Sequence, residues 1–243
     1  MTRPSQVAAA LLGLVFGGGL LLSGCAGGSA YSVDVSDLAD RYLPTTRQVE
    51  YHPDSLGGLT LREKEDRLQL DLALDYKGLH RRWSSSYRNL GIGRSQRTRS
   101  YATFWSKELS IAALQGETGL STLTRKRAQK LLAERRQEYQ NVVQIDVYWF
   151  ESEGNSLLAG PGSRVVLQLD ETSYRPTRET HGPLREAFLI GQSRGALYRR
   201  NTFYFSRVVD GTDILEGTEE VSLTINRSAA QSRVRFAWEW PSE

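Results

Sequence analysis

One five-residue segment of this chain has the spacing of a catalytic nucleophile. Gly191-Gln192-Ser193-Arg194-Gly195 matches the G-x-S-x-G pattern, in which a serine on a sharp strand-to-helix turn attacks an ester or amide. That chemistry needs an acid and then a histidine later in the chain, and no histidine follows His181. The flanking residues have the pattern of strand, loop and strand. We therefore interpret the match as a chance one and predict that Ser193 is not a nucleophile.

Acid–base and metal chemistry have equally little support in the sequence. The neighbouring carboxylates that a glycosidase would use occur at predicted strand ends or turns, where solvated acids are expected (Glu151/Glu153, Glu219/Glu220). Cys25 is the only cysteine, which excludes an internal disulfide and a thiolate metal site. The histidines lie far apart in sequence (His52, His80, His181). We expect no enzyme activity, no cofactor and no histidine metal site, while an all-carboxylate cation site stays open.

Positive charge is concentrated in the middle of the chain. Residues 76–136 hold 14 Lys and Arg against 3 Asp and Glu, and no acidic residue occurs between Asp75 and Glu108. A basic surface attracts lipid head groups, lipopolysaccharide phosphates, anionic glycans or acidic proteins. The candidate anion-binding residues are Arg81, Arg82, Arg88, Arg94, Arg97 and Arg99. The alternative interpretation is that these charges are solvated or that an acidic N-terminal arm folds back over them.

The beginning of the chain has the order of features found in a secretory signal. Arg3 and the α-amino group precede an uncharged run of 16 residues, Val7–Leu22, which small residues follow. A transmembrane helix needs about 20 apolar residues, so this run is short for a membrane span. Three consecutive glycines within it weaken a helix further. The sequence Leu22-Ser23-Gly24-Cys25 at its end resembles the lipobox of bacterial lipoproteins.

This resemblance implies that residues 1–24 are a signal peptide and that Cys25 becomes the lipidated N-terminus. The Cys25 sulfur would carry a diacylglyceryl group and its amine a further acyl chain, and two or three chains together anchor a protein stably. Ala26, in place of an aspartate after the cysteine, favours the outer membrane in the sorting rule known for enterobacterial lipoproteins. We therefore expect a lipid-anchored envelope protein that faces the periplasm from the outer membrane and does not bind nucleic acid.

The remainder divides into an arm and a single domain. Residues 25–55 begin as a Gly-rich tether and continue as an acidic arm, and residues 56–243 form one β-rich globular domain. Alternation with polar neighbours predicts a half-buried strand after a turn at Lys64-Glu65-Asp66 (Leu68, Leu70, Leu72, Leu74, Tyr76). The run Val142–Phe150 is apolar on both faces, which predicts a central strand.

Later segments add strands and two helices. Apolar residues recur at every second position in three further strands (Val165, Leu167, Leu169; Val221, Leu223, Ile225; Val234, Phe236, Trp238, Trp240). Helical spacing predicts a short helix over 106–114, ended by Gly116, and a longer one from Thr122 or Thr124 to about Gln140, with Arg135 inside its apolar stripe. We predict a mainly β fold, an immunoglobulin-like β-sandwich with one or two helices inserted around residues 106–140. From about Arg97 to Trp240 this order loosely resembles uncharacterised bacterial envelope lipoproteins, a resemblance that implies no activity.

Two functions from different classes follow. The first is a non-catalytic envelope lipoprotein that binds another envelope protein or assembles into a complex. The second is an anion-, lipid- or glycan-binding module that uses the Arg-rich residues 77–136. An envelope hydrolase stays a third hypothesis, because sandwich enzymes with scattered carboxylates leave no local signature.

Overall fold

Two five-stranded antiparallel sheets and three α-helices make up most of the described chain, which is mainly β as predicted. The computed structural model describes residues 49–86, 88–89, 100–150, 163–187, 196–227 and 232–241. The predicted signal peptide, Cys25 and the motif at residues 191–195 lie outside these ranges. The strands are β1 (Leu59–Lys64), β2 (Arg67–Leu72), β3 (Ser84–Ser86), β4 (Arg88–Asn89), β5 (Ser100–Phe104), β6 (Val142–Phe150), β7 (Arg164–Leu169), β8 (Thr172–Tyr174), β9 (Arg178–Ala187), β10 (Ala196–Ser206), β11 (Val208–Val209), β12 (Thr212–Asp213), β13 (Glu220–Arg227) and β14 (Ser232–Glu239). The helices are α1 (Tyr76–Arg82), α2 (Lys107–Thr118) and α3 (Arg125–Asn141).

The first sheet has the order β3-β5-β6-β10-β9 and is buried on both faces around its central strand, β6. Val143, Ile145 and Val147 of β6 belong to the main hydrophobic core. Asp146 and Tyr148, which point to the opposite face, are buried as well. The prediction that Val142–Phe150 forms a central strand is therefore confirmed, since only a strand covered on both sides needs such a sequence.

The second sheet has the order β4-β14-β13-β7-β8. The predicted alternation is confirmed in β7, β13 and β14, whose apolar residues all lie in the core (Val165, Leu167, Leu169, Val221, Leu223, Ile225, Val234, Phe236, Trp238). Residues at the intervening positions, such as Arg164 and Arg233, point to the outer face. This sheet therefore has one apolar face and one polar face.

Large aromatic side chains join the two sheets. The ring centroids of Phe104 on β5 and Trp238 on β14 are 5.8 Å apart, and those of Trp149 on β6 and Phe236 on β14 are 6.2 Å apart. Each buried aromatic side chain removes a large apolar area from water, so these contacts form the centre of the core. Trp240, at the end of β14, is also buried, with 4% of its side chain exposed.

The first hairpin confirms one prediction and corrects another. β1 and β2 are joined by Glu65 and Asp66, whose positive φ values of 50° and 60° fit a tight two-residue hairpin turn. The predicted strand over Leu68–Tyr76 is too long, because β2 ends at Leu72 and α1 begins at Tyr76. The Asp75 carboxylate accepts a hydrogen bond from the backbone N–H of Gly78 (2.7 Å), and this N-cap starts a helix where alternation alone suggests a strand.

The two later helices lie where helical spacing predicts them. α2 begins after Ser106, whose hydroxyl caps it, and continues through Gly116 to end at Gly119, where φ is 59°. The predicted end at Gly116 is wrong, because burial of the residues before it outweighs the small helix penalty of one glycine. α3 starts after Thr124, the second of the two predicted positions. Within the described ranges no helix has the length and hydropathy needed to cross a membrane.

Candidate functional site

The structure describes few of the predicted site residues. Cys25 and three of the six candidate arginines lie outside the described ranges (Arg94, Arg97, Arg99). Arg88 lies in β4, opposite Arg235 of β14, with only its backbone described. Arg81 is exposed near the end of α1, whereas Arg82 is held by other side chains. In the described part of the chain, the structure therefore does not bring these arginines together as a basic site.

Arg82 belongs to a network that fastens residues 49–58 to the domain. Its Nη1 donates to the Tyr51 hydroxyl oxygen (2.6 Å), and the Tyr51 hydroxyl in turn donates to Glu108 Oε2. The other carboxylate oxygen of Glu108 accepts a hydrogen bond from the backbone N–H of Gly58 (2.8 Å). Burial raises the pKa of Glu108 above its usual value, and the hydrogen bonds from Tyr51 and Gly58 oppose that rise. The side chains of Arg82 and Glu108 are therefore both engaged in contacts that hold residues 49–58 in place.

Arg207 forms a second set of contacts with residues 49–58, through Asp54. Its Nη2 donates to Asp54 Oδ2 (2.5 Å) and its Nε to Asp213 Oδ2 (2.9 Å), while its guanidinium carbon lies 4.7 Å from the ring centroid of Tyr139. Burial alone would raise the pKa of Asp54, but the Arg207 guanidinium outweighs it and lowers that pKa below the usual value. Arg135, for which the sequence left open either a position at the edge of the helix or a carboxylate partner, is buried, and its Nη2 lies 2.6 Å from Glu117 Oε2.

A buried polar cluster lies on the outer face of the first sheet. Asp146 of β6 is 0% exposed, and its Oδ2 lies 3.9 Å from Nη1 of Arg200 on β10. The His80 ring of α1 is also 0% exposed and lies 6.2 Å from the ring of Tyr148, measured between centroids. The Tyr148 ring stacks on that of Tyr101, with centroids 4.5 Å apart. Helix α1 thus lies over this face of the sheet, and its His80 ring packs against Tyr148.

Burial controls the protonation of this cluster. Burial, assisted by the nearby positive charge of Arg200, lowers the pKa of His80 from 6.5 to about 3. Burial raises the pKa of Asp146 above its usual value, although Arg200 and the hydrogen bonds to the carboxylate oppose that rise. His80 is therefore neutral near pH 7, and its ring is buried away from solvent. We interpret the cluster as a packing element.

The outer face of the second sheet carries an open pocket of about 260 Å³. We call it the arginine pocket and define it by the residues that line it and could bind a ligand (Arg164, Arg175, Arg233, Gln168, Thr224, Asn226). Asn226 on β13 is paired with Arg164 on β7 and with Arg233 on β14, so these three residues form one row across three strands. Paired residues in adjacent strands point to the same face, which brings both arginines to the pocket.

A larger pocket, of about 500 Å³, has acidic residues around it. Glu219, Glu220 and Glu239 line it together with Trp240. Glu220 accepts a hydrogen bond from Arg235 Nη2 (2.5 Å), and the Trp240 indole N–H donates to the carbonyl oxygen of Thr218 (2.5 Å). The structure therefore brings the predicted pair Glu219/Glu220 beside a third carboxylate, Glu239. In the described residues no group of His, Cys, Asp and Glu is arranged to hold a metal ion.

Sequence reasoning missed the arginine pocket. The alternation in β7, β13 and β14 already assigns Arg164, Thr224, Asn226 and Arg233 to the faces opposite the core. The order β14-β13-β7, which places those faces side by side, is a property of long-range pairing that alternation does not reveal. The usable signal was therefore polar residues on the outer positions of three strands, two of them arginines.

Comparisons with protein-family models, with curated proteins and with solved structures give no match to this chain.

Proposed function

We propose that this chain is a lipid-anchored, non-catalytic protein of a bacterial envelope that binds another envelope component through the outer face of its second sheet. The observation that carries the proposal is the difference between the two sheets. Asp146 and Tyr148 on the outer face of the first sheet are 0% exposed, whereas Arg164 and Arg233 on the outer face of the second sheet are exposed beside an open pocket. The second sheet therefore offers a partner a surface that the first sheet does not.

The buried ionic contacts favour binding over catalysis. Glu108, Arg135 and Arg207 are almost fully buried, and each joins segments that are distant in sequence. Groups held in this way stabilise the positions of chain segments and are not free to react with a substrate. We therefore assign the charged residues of the interior to folding and the open polar face to recognition.

The position of the first described residue is compatible with the proposed anchor at Cys25. The backbone N–H of Val49 donates to the carbonyl oxygen of Glu239 (2.7 Å), so the N-terminal chain meets the domain beside the end of β14. Cys25 precedes Val49 by 24 residues, which span at most about 85 Å when fully extended. Such a tether would let a lipidated Cys25 in the outer membrane hold the domain within reach of periplasmic partners.

We also propose that the domain is an immunoglobulin-like β-sandwich. Support comes from the two antiparallel five-stranded sheets and the aromatic contacts between them. An experimental structure of the domain would test this proposal through its strand order and connections. A connectivity unlike that of immunoglobulin domains would reject it and leave the mainly β description intact.

The alternative function, binding of anions, lipids or glycans by the Arg-rich residues 77–136, has support from exposed cations on two helices. Arg81 on α1 and Lys126, Arg127 and Arg136 on α3 are exposed. Charge reversal of Arg81 together with Arg127 should then reduce retention on anionic liposomes. Unchanged retention would reject this alternative.

Photo-crosslinking in living cells tests the main proposal. A photoreactive amino acid placed at Ser173, an exposed residue beside the arginine pocket, should reproducibly capture one or two envelope components. The same amino acid at Gln137, an exposed residue on α3, is the matched control and should capture only abundant neighbours. Equal captured sets at both positions would overturn the proposed binding face.

A separate experiment tests the lipid anchor. Cys25→Ser should release the protein into the soluble fraction. If the variant could still be extracted only by detergent, lipidation at Cys25 would be contradicted.

A further inference from the structure

We infer that the arginine pocket binds the oxyanion group of an envelope ligand, a phosphate, sulfate or carboxylate carried by a soluble sugar or by a lipid head group. The inference rests on the proposed function in one respect, because both place the ligand on the outer face of the second sheet. It goes further by naming the chemistry that the pocket recognises. Three features of the pocket carry it, namely its charge, the spacing of its arginines and one buried hydroxyl group.

The charge of the pocket is unbalanced. Arg164, Arg175 and Arg233 are exposed and form no ion pair with any other residue in the described part of the chain. No Asp or Glu is among the described residues that line the pocket. Like charges gathered on one face of a sheet repel each other, and a bound oxyanion would remove that repulsion.

The neighbouring arginine on the same strand has a carboxylate partner. Arg235, two residues after Arg233 on β14, donates to Glu220 Oε1 of β13 (2.5 Å). Arg233 has no such partner in the described chain, although it is on the same strand and the same face. Among the described side chains of this sheet, the arginines without an ion pair, Arg164 and Arg233, both line the pocket.

The spacing of the arginines suits a single bound group. Arg164 and Arg233 lie on either side of Asn226, two strands apart, which places their backbones about 10 Å from each other. Two arginine side chains that extend toward each other can span that distance. The planar guanidinium binds the oxygens of a phosphate or carboxylate through two parallel hydrogen bonds, so the pair is suited to holding one oxyanion between them.

A buried hydroxyl group gives independent support. Thr224 lines the pocket, is only 3% exposed, and its Oγ1 has no hydrogen-bond partner among the described residues. Buried polar atoms in folded proteins almost always have a partner, so an unpaired one that borders a pocket indicates a ligand atom as its partner. The side-chain amides of Asn226 and Gln168 line the same pocket and can bond to the hydroxyl groups of a sugar or glycerol.

Titration calorimetry with two matched sugars tests the inference. The full chain carrying Cys25→Ser is titrated with glucose 6-phosphate and, separately, with glucose, which lacks the oxyanion. We expect glucose 6-phosphate to bind, its affinity to fall as salt rises, and glucose to bind at least about tenfold more weakly. Arg164→Gln with Arg233→Gln should weaken binding of glucose 6-phosphate by about tenfold or more. Thr224→Val, which keeps the shape of the side chain, should weaken it by a smaller factor.

Arg67→Gln with Arg185→Gln is the matched control, because it removes the same charge from exposed positions outside the pocket. Circular dichroism establishes that each variant is folded before it is titrated. Equal affinities of the pocket variant and the control variant, or no binding of glucose 6-phosphate by the parent chain and no retention on anionic vesicles, would overturn the inference.

Vesicles distinguish the two sources of the oxyanion. Retention on phosphatidylglycerol vesicles but not on phosphatidylcholine vesicles, lost in the pocket variant, supports a lipid head group as the source. Binding of glucose 6-phosphate without retention on either vesicle supports a soluble sugar.

The oxyanion site and the proposed function can fail independently. If neither oxyanion binds while crosslinking from Ser173 still depends on Arg164 and Arg233, the ligand class is wrong and the binding face stands. If an oxyanion binds but no envelope component is captured, the proposed function is wrong and the oxyanion site stands.

Discussion

The indole N–H of Trp238 donates a hydrogen bond to the backbone carbonyl oxygen of Trp83, 2.9 Å away. Trp238 lies on β14 of the second sheet, and Trp83 directly precedes β3 of the first. The same carbonyl oxygen accepts the backbone N–H of Phe104 on β5 (2.9 Å). One buried oxygen thus receives donors from both sheets, and the packing of the two sheets is tied to a specific polar contact as well as to apolar area.

Replacing this donor should weaken the contact between the sheets. Trp238→Phe keeps an aromatic ring but removes the N–H, while Phe104 still satisfies the Trp83 oxygen. We expect a loss of about 1–3 kcal/mol in the free energy of unfolding, from the lost hydrogen bond and the smaller ring. Urea unfolding measures this loss. A change below about 0.5 kcal/mol would show that the contact does not stabilise the fold.

His80 should make stability depend on pH. Its pKa is about 3 in the folded protein against 6.5 for an unperturbed histidine, so the unfolded state binds more protons between these values and stability falls as pH falls through that window. From pH 7 to pH 5 we expect His80 to lower the free energy of unfolding by about 2 kcal/mol. Urea unfolding of the parent protein and of His80→Phe at both pH values measures this contribution as the difference between them.

The controls separate His80 from other groups. The raised pKa values of Glu108 and Asp146 act in the opposite direction, since stability from a raised carboxyl pKa falls as pH rises, but they are common to parent and variant. His181→Phe, which replaces a histidine whose side chain is 41% exposed, is the matched control for a His-to-Phe substitution. A His80→Phe variant with the parent pH dependence would contradict the burial of a neutral His80.

Arg207 should be far more important for stability than an exposed arginine in an ion pair. Arg207→Met leaves Asp54 and Asp213, whose side chains are 33% and 32% exposed, without their common partner, and losing these charge-assisted hydrogen bonds should cost about 1.5–3 kcal/mol. Arg62→Met removes an exposed pair with Asp71 (2.9 Å) and should cost less than about 1 kcal/mol. Thermal unfolding of both variants measures the contrast. Equal losses would show that the Arg207 network contributes no more than a surface contact.

A side chain at Gly182 should weaken the pairing of β9 with β10. A Cβ atom at this position would lie 2.7 Å from the backbone carbonyl oxygen of Arg200, where the pairing of β9 and β10 shifts register. Because backbone atoms cannot swing aside, Gly182→Ala should cost about 1–3 kcal/mol and loosen β9. Hydrogen exchange of the β9 amides measures this loosening, with Gly116→Ala on α2 as a control at an exposed helical glycine. Unchanged exchange in β9 would mean that the edge strand adjusts freely.

Local pattern predicted the elements whose burial is fixed by their own sequence. The apolar residues on both faces of β6 and the alternation of β7, β13 and β14 follow from the face on which each side chain lies. α1 was missed because Leu74 and Tyr76 continue the strand alternation past the point where Asp75 caps a helix. The cap is a contact between a side chain and a backbone N–H, and it outweighs a weak periodicity.

The candidate site could not be predicted from the sequence, for a different reason. Residues 77–136 were singled out by their charge along the chain, yet Arg82 is bound to Tyr51, which is 31 residues earlier in sequence. Conversely, alternation places Arg164 and Arg233 on the outer faces of β7 and β14, but only the order β7-β13-β14 brings those faces side by side. Charge density along a sequence reports composition, whereas a binding pocket depends on strand order.

The contacts of residues 49–58 have a consequence for the order in which the protein folds. Asp54 bonds to Arg207 across 153 residues, His52 lies 3.3 Å from the carbonyl oxygen of Leu215 across 163 residues, and Val49 bonds to Glu239 in the last strand. Contacts between residues so distant in sequence form slowly, because a long loop must close first. The earliest described segment to leave the ribosome is therefore among the last to dock, and the domain completes its fold only after β14 has been synthesised.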